Sequence, residues 1–346
     1  MGIQRKSKSK WNPYTHITDM VIEGLENGVG PWSRPWTIKP GDAGLHMGLS
    51  PFNPLTKSGG RTYNGANTWL LAIRSLKYGW KDPRFCTFKQ LAAKGWKVKE
   101  GQSGAKKVGG PGPSQVFFTF PETQPELDPV TKEPIRDSNG KVRTRTWWKI
   151  QIYRVWNYEQ LDGPEAWVDE EHAPQDVETT ETGERQHVKA WEVIEAWRQV
   201  VTTSFGGGKA YYRPSTDSIK LPELDRFDSE EDALSTEFHE QVHSTGHKSR
   251  LDRFKDSDGG FGSASYAFEE LVAELGAANL MAATGVVSTG NIREDHVQYI
   301  QGWIKVLKKD NKALSKASGL AAKATTAILE NYESVSTVRE NAEKAA

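Results

Sequence analysis

In the run His239-Glu240-Gln241-Val242-His243, two imidazoles stand four residues apart, with a carboxylate directly after the first. On a helix that spacing is just over one turn, so both rings share a face and can reach a single metal ion. Two histidines, a third protein donor and an open position for water describe a catalytic zinc site, whereas structural sites close all four positions with protein. Glu240 is of the type, and at the place, to take a proton from water at such a site. The chemistry this spacing allows is metal-assisted hydrolysis with one Zn2+ ion.

The spacing works only on a helix, and the flanking residues supply one. Ser229 is followed by Glu230, Glu231 and Asp232, an N-cap with acidic residues in the first turn, and Gly246 is the stop. Ala233, Leu234, Phe238 and Val242 recur between them with the period of an amphipathic helix rather than a strand. For the third ligand, Gly246 fits the longer pattern H-E-x-x-H-x-x-G-x-x-H, but Ser249 stands where its last histidine belongs. His247 follows the helix-breaking Gly246 and is the weaker donor. A carboxylate from a second helix, starting at Ser265 and running to Gly285, fits better, because acidic groups in so apolar a segment need a partner. Glu270 and Glu274 share a face there: Glu270 is expected to bind the metal and Glu274 to accept the outer N–H of a ligand histidine. Glu269 remains the alternative ligand. Tyr211, Tyr212, His247 and His296 are oxyanion-donor candidates by type, and spacing places none of them.

Across 346 residues the formal charge is zero, but residues 1–120 carry 18 Lys and Arg against 6 Asp and Glu. That part is +12, leaving −12 for the rest, a segregation that suits a polyanion-binding half and argues against an acidic DNA mimic. Nine of the thirteen tryptophans also precede residue 157. Cations with flat apolar rings match single-stranded nucleic acid, which offers both phosphates and unstacked bases. Trp32, Trp36, Tyr63, Asn67, Lys106 and Lys107 are the DNA-binding candidates. A single cysteine, Cys86, excludes an internal disulfide and a multi-cysteine zinc site. With no apolar run long enough for a bilayer and no apolar core in residues 1–10, a cytoplasmic location without membrane contact is expected.

The layout is α+β in two domains, each with its own core. Residues 1–161 form the DNA-binding part, a mixed α/β domain, with an irregular insertion at about 121–145 between strand-like runs at 115–120 and 146–155. Residues 162–185 read as an acidic linker, and 186–346 as a domain of several helices and a small sheet. In that sheet Gly206-Gly207-Gly208 is a turn, and Arg213, Ser215, Asp217 and Ile219 make an edge strand ahead of the metal helix. Such an edge can pair with an extended peptide. Further helices start at 291–294 and span 311–332.

The stretch Glu269-Glu270-Leu271-Val272-Ala273-Glu274 resembles the N-E-x-x-S-D helix of thermolysin-like gluzincins, with Glu269 in place of asparagine and Glu274 in place of aspartate. That resemblance implies the same roles for Glu270 and Glu274. Along nearly its whole length the chain resembles the ArdC-type antirestriction proteins of conjugative plasmids and related mobile elements. The residues that carry it are Ala210-Tyr211-Tyr212, Asp217-Ser218-Ile219, His239 to His243, Thr245-Gly246-His247-Lys248-Ser249-Arg250-Leu251-Asp252-Arg253 and the acidic stretch above, with Pro31-Trp32, Pro35-Trp36, Tyr63-Asn64-Gly65-Ala66-Asn67 and Val155-Trp156-Asn157-Tyr158-Glu159-Gln160 earlier. The N-terminal part is similar to the single-strand-binding domain at the N-terminus of plasmid TraC primases. The resemblance implies a single-stranded-DNA-binding domain joined to a zincin-like metallopeptidase domain that protects incoming DNA, with a host restriction protein as target. The alternative is a single-strand-binding protector whose zinc site is structural or inactive.

Overall fold

A computed structural model describes residues 12–30, 51–56, 60–63, 65–104, 110–165, 187–254, 263–286 and 294–345. Trp32, Trp36, Lys106, Lys107, the side chain of His296 and all but the first residues of the 162–185 segment lie outside the described residues.

Helix α1 (Pro13–Glu26) starts where Asn12 accepts the N–H of Tyr14 at 2.9 Å, with proline at the first helical position, and buries Ile17, Val21, Ile22 and Leu25. Strands β1 (Phe52–Asn53) and β2 (Arg61–Thr62) pair antiparallel. Helix α2 (Ala66–Tyr78) ends at Gly79, left-handed at φ 72°. Strand β3 (Phe85–Thr87) runs into α3 (Phe88–Ala93), whose start is closed by a reciprocal cap between Thr87 and Gln90. Then come β4 (Lys97–Val98), β5 (Ser114–Pro125), β6 (Thr144–Asn157) and β7 (Leu161–Asp162). Strand β6 lies between β3 and β5, and β4 pairs with β7. Asp162, expected to open the linker, is thus paired with Lys97.

The insertion expected to be irregular is an extension of the β5–β6 hairpin. Its ladder runs unbroken from Ser114 opposite Val155 to Pro125 opposite Thr144, and bridges at Leu127–Pro134 and Arg136–Val142 carry pairing further. Pro121 and Pro125 sit on an edge strand, which tolerates a missing N–H.

The second part comprises α4 (Val188–Arg198), β8 (Thr202–Phe205), β9 (Tyr211–Arg213), β10 (Ser218–Leu221), α5 (Glu230–Ser244), α6 (Ala264–Thr284), α7 (Glu294–Lys309) and α8 (Ala313–Ala345). Strand β10 is central, parallel to β8 and antiparallel to β9. The strand expected as one edge over 213–222 is divided: residues 218–221 are central, and β9 is an edge, as β8 is on the other side. A turn ending at Asp217, at φ 45°, reverses the chain, and the remaining strand buries Ile219 and Leu221. Helix α5 starts at Ser229, whose hydroxyl accepts the N–H of Asp232 at 3.1 Å, and α6 is capped by Ser263 rather than Ser265 and stops at left-handed Gly285.

The largest core is shared by the two parts, beside two smaller apolar clusters within the N-terminal part. One apolar cluster runs from Ile17, Trp69 and Leu70 through Trp191, Leu234 and Phe238 to Leu271, Trp303 and Ile328. Helices α1 and α2 cover their apolar faces with the helices of the second part, because they lack enough neighbours of their own. Side chains from α6 and α8 also satisfy the start of α2: Gly65 N–H donates to Asn279 Oδ1 at 3.0 Å and Ala66 N–H to Ser318 Oγ at 3.1 Å.

Candidate metal centre

Helix α5 supplies both imidazoles and α6 the acids. His239 Nε2 and His243 Nε2 lie 3.0 Å apart. Glu270 turns one carboxylate oxygen to each, Oε2 to His239 Nε2 and Oε1 to His243 Nε2, both at 3.3 Å. A tetrahedral zinc with bonds of about 2.0–2.1 Å separates its donors by about 3.3 Å, so this triangle fits one face of its coordination sphere. Among the described residues these three are the group that could hold a metal ion.

Each imidazole is aimed from behind. His239 Nδ1 faces Glu274 Oε1 at 3.2 Å, and His243 Nδ1 faces Glu269 Oε1 at 3.3 Å. Arg253 anchors Glu269 through its Nε at 3.2 Å and Nη2 at 2.6 Å, and also donates to the Val242 carbonyl and the Thr245 hydroxyl. Glu269 thus lies on the outer side of His243, and Glu270 on the side where the two Nε2 atoms meet. Sequence spacing marked Glu269 only as an alternative ligand and did not reveal Arg253, because its reach back to α5 depends on the loop after Gly246.

Electrostatics make the pocket cation-seeking. Burial disfavours charge on His239, but Glu270 and Glu274 outweigh it and raise its pKa well above the usual value. For His243 burial is again outweighed, by Glu270 and Glu269, and the pKa is pushed up to about 9. Burial would raise the carboxyl of Glu270, but the two imidazoles hold it well below the carboxylate range. Glu240, also buried, has its pKa raised by that burial against the pull of the imidazoles, and it accepts a backbone hydrogen bond from Tyr212 on the edge strand β9.

A second cluster flanks the first. The Tyr212 hydroxyl donates to Asp217 Oδ1 at 2.8 Å, Arg250 pairs with both oxygens of Asp217, and Arg250 Nε donates to the Ser244 carbonyl at 2.8 Å. His247 joins it through Ser249 Oγ at 2.7 Å and Asp217 at 3.6 Å. Tyr212 and His247 therefore tie the β9–β10 turn to the end of α5, and the Tyr212 hydroxyl and His247 Nδ1 are engaged there. Tyr211 is 40% exposed on β9, with its hydroxyl accepting from Arg213.

The DNA-binding candidates that are described do not form a surface. Tyr63 is 6% exposed and meets Phe85 edge-on, and Asn67 brackets the Phe117 backbone with bonds of 2.8 and 2.9 Å. Both build the core, which corrects their expected role as DNA contacts. Trp69, Trp80 and Trp156 are also buried, as large apolar rings in a mixed domain tend to be.

Comparison with known proteins agrees with this layout. Residues 12–156 match the model of the N-terminal domain of anti-restriction factor ArdC, and residues 189–320 match that of a zincin-like metallopeptidase. A DNA primase TraC from Escherichia coli is 35% identical over 329 residues, which is 91% of this chain but 27% of that protein. The chain thus spans about a quarter of TraC, and the similarity extends past the N-terminal part into the metal-centre part. An uncharacterised protein, y4eC, of Sinorhizobium fredii is 28% identical, covering 93% of this chain and 92% of its own length. The metal-free crystal structure of the antirestriction ArdC protein from R388 plasmid superposes with a TM-score of 0.65 at 26% identity, covering 94% of this chain and 99% of that one. The Mn(II)-bound structure of that protein gives 0.61 at 26%, with 93% and 98% covered. The chain thus carries an N-terminal domain of the ArdC kind followed by a zincin-like metallopeptidase domain, and along nearly its whole length it is similar to an antirestriction ArdC protein.

Proposed function

We propose that this chain is a cytoplasmic antirestriction protein of a mobile element that binds single-stranded DNA and cleaves peptide bonds at a zinc site, protecting incoming DNA from a host restriction system. The observation that carries the hydrolytic part is the convergence of His239 Nε2, His243 Nε2 and the Glu270 carboxylate within 3.3 Å, with Glu240 on the same helix. His239, His243 and Glu270 would hold the ion, and Glu269 and Glu274 would fix the two rings. When bound, a zinc ion polarises a carbonyl and lowers the pKa of water to about 7. Glu240 takes the proton from water and returns it to the leaving amine. Burial raises its pKa above the ordinary carboxylate value, which makes it the stronger base. An extended peptide would pair with the open edge of β9, Tyr211–Arg213, with Tyr211 the oxyanion-donor candidate on that edge. The Mn(II)-bound relative supports a divalent cation at this centre.

The DNA part is supported by the +12 charge of residues 1–120 and by the match to the ArdC N-terminal domain. Metal analysis of the purified chain tests the centre: one zinc per chain is expected, and none after His243→Ala. Glu240→Gln is expected to keep the zinc and lose peptide hydrolysis by about 10²- to 10⁴-fold against candidate restriction subunits. Full turnover in that variant would overturn the mechanism. Antirestriction in vivo that survives Glu240→Gln would assign protection to DNA binding, with the metal centre inactive or structural.

A further inference from the structure

The β5–β6 hairpin has two unlike faces. Phe117, Ile150 and Ile152 alternate on one and pack into the main core. The other starts in a small cluster where Val116 and Val155 meet Tyr63 and Phe85, then continues outward as Phe118, Tyr153 and Phe120. The register, with Val116 opposite Tyr153, Phe118 opposite Gln151 and Phe120 opposite Lys149, puts all three rings on one side of the ribbon. Phe118 and Tyr153 contact edge-on with centroids 5.4 Å apart. Tyr153 is 43% and Phe120 41% exposed, large rings left in water on a ribbon whose other face is covered.

Cations bracket the rings. The Arg61 guanidinium lies 5.2 Å over Phe118, and Lys149, directly across from Phe120, holds Glu122 at 2.7 Å. We propose that this strip of Arg61, Phe118, Tyr153, Phe120 and Lys149 is the surface on which the chain binds single-stranded DNA. Bases stack on Phe120 and Tyr153 while Arg61 and Lys149 meet phosphates. The inference rests on the single-stranded-DNA reading of the proposed function and gives it a surface. Flat rings exposed at intervals and flanked by cations match a ligand that alternates base faces and phosphates. Duplex DNA hides its base faces and cannot use the rings. The core of a protein interface is depleted of lysine, whereas Lys149 stands directly across from Phe120. The net +12 of residues 1–120 supplies the long-range attraction.

The test is binding of a fluorescent single-stranded oligothymidylate to the full chain, followed by anisotropy at two salt concentrations, with a duplex as competitor. The wild-type chain is expected to bind the single strand in preference to the duplex. Phe120→Ala and Tyr153→Ala are each expected to weaken binding about 10-fold, and the pair about 100-fold. Phe120→Trp is expected to retain it, and Lys149→Gln to flatten the salt dependence. Ultraviolet cross-linking of the oligonucleotide, mapped by mass spectrometry, should label the peptides carrying Phe120 and Tyr153 without relying on any variant. If the wild type binds single strands while the alanine pair binds equally well, the strip is overturned and the DNA reading stands. If the wild type binds no single strands, both fall. If the alanine pair keeps its affinity but turns a dimer into a monomer by light scattering, the strip is a contact between copies.

Discussion

At the scale of residues, the metal centre separates groups that bind from groups that aim. Glu270→Ala is expected to remove stoichiometric metal, because the oxygens facing both imidazoles are lost. Glu269→Gln or Arg253→Met should keep the stoichiometry and weaken affinity about 10- to 100-fold, the usual cost of releasing a ligand histidine from its orienting partner, read by competition with a chelating dye. Equal metal loss in all three would contradict the division. The pH response follows from the same contacts. His243 has a pKa of about 9 in the fold against about 6.5 unfolded, so its contribution is full below 6.5 and lost as pH rises through 9. Glu270, held low, contributes above about 4.5 and loses that as pH falls further. In chelator, Tm should therefore fall between pH 6.5 and 9, while the Tm gain from added zinc grows over the same window as the histidines release their protons. A flat Tm in chelator would contradict the ion pairing.

At the scale of elements, the site depends on how closely α5 and α6 approach. A Cβ on Gly276 would meet Val242 Cγ2 at 2.7 Å and Cγ1 at 2.8 Å, closer than packed side chains allow. Gly276→Ala should raise helix propensity yet destabilise the chain by about 1–3 kcal/mol in urea unfolding. It should also weaken metal binding, because Val242 directly precedes His243, a proposed metal ligand. Adding Val242→Ala should recover both, and the recovery measures the coupling. The H-E-x-x-H pattern carries no sign of this contact. Glycine at 276 lies in a helix whose apolar run hides the reason for it, and only the neighbouring helix supplies that reason. The same holds for β9. Its three residues are too few for a strand period, and its position at the edge follows from pairing with β10 on one side alone.

At the scale of the whole molecule, the shared core joins the N-terminal part to the part that carries the candidate metal centre. Thr18 Oγ1 donates to the Asn311 carbonyl at 3.0 Å, and α6, which carries Glu269, Glu270 and Glu274, also carries the Asn279 that holds Gly65. Thermal unfolding is therefore expected to show one transition, coincident in far-ultraviolet and aromatic circular dichroism and shifted as a unit by metal removal. Two separated transitions would contradict a shared core. The sequence by itself determined that His239 and His243 share one helix face, because a helix fixes the positions of i and i+4 residues by local geometry, and caps such as Ser229 and Gly285 are local as well. It also determined the charge of the N-terminal part, which is additive. The tertiary structure alone decided which acid faces which imidazole nitrogen, that Arg253 and Asp217 brace the site, that Tyr63, Asn67 and Trp69 are core rather than surface, and that Phe120 and Tyr153 stand outside. Those outcomes depend on contacts between residues far apart in the chain, and composition and period cannot tell a buried ring from an exposed one until its neighbours are in place.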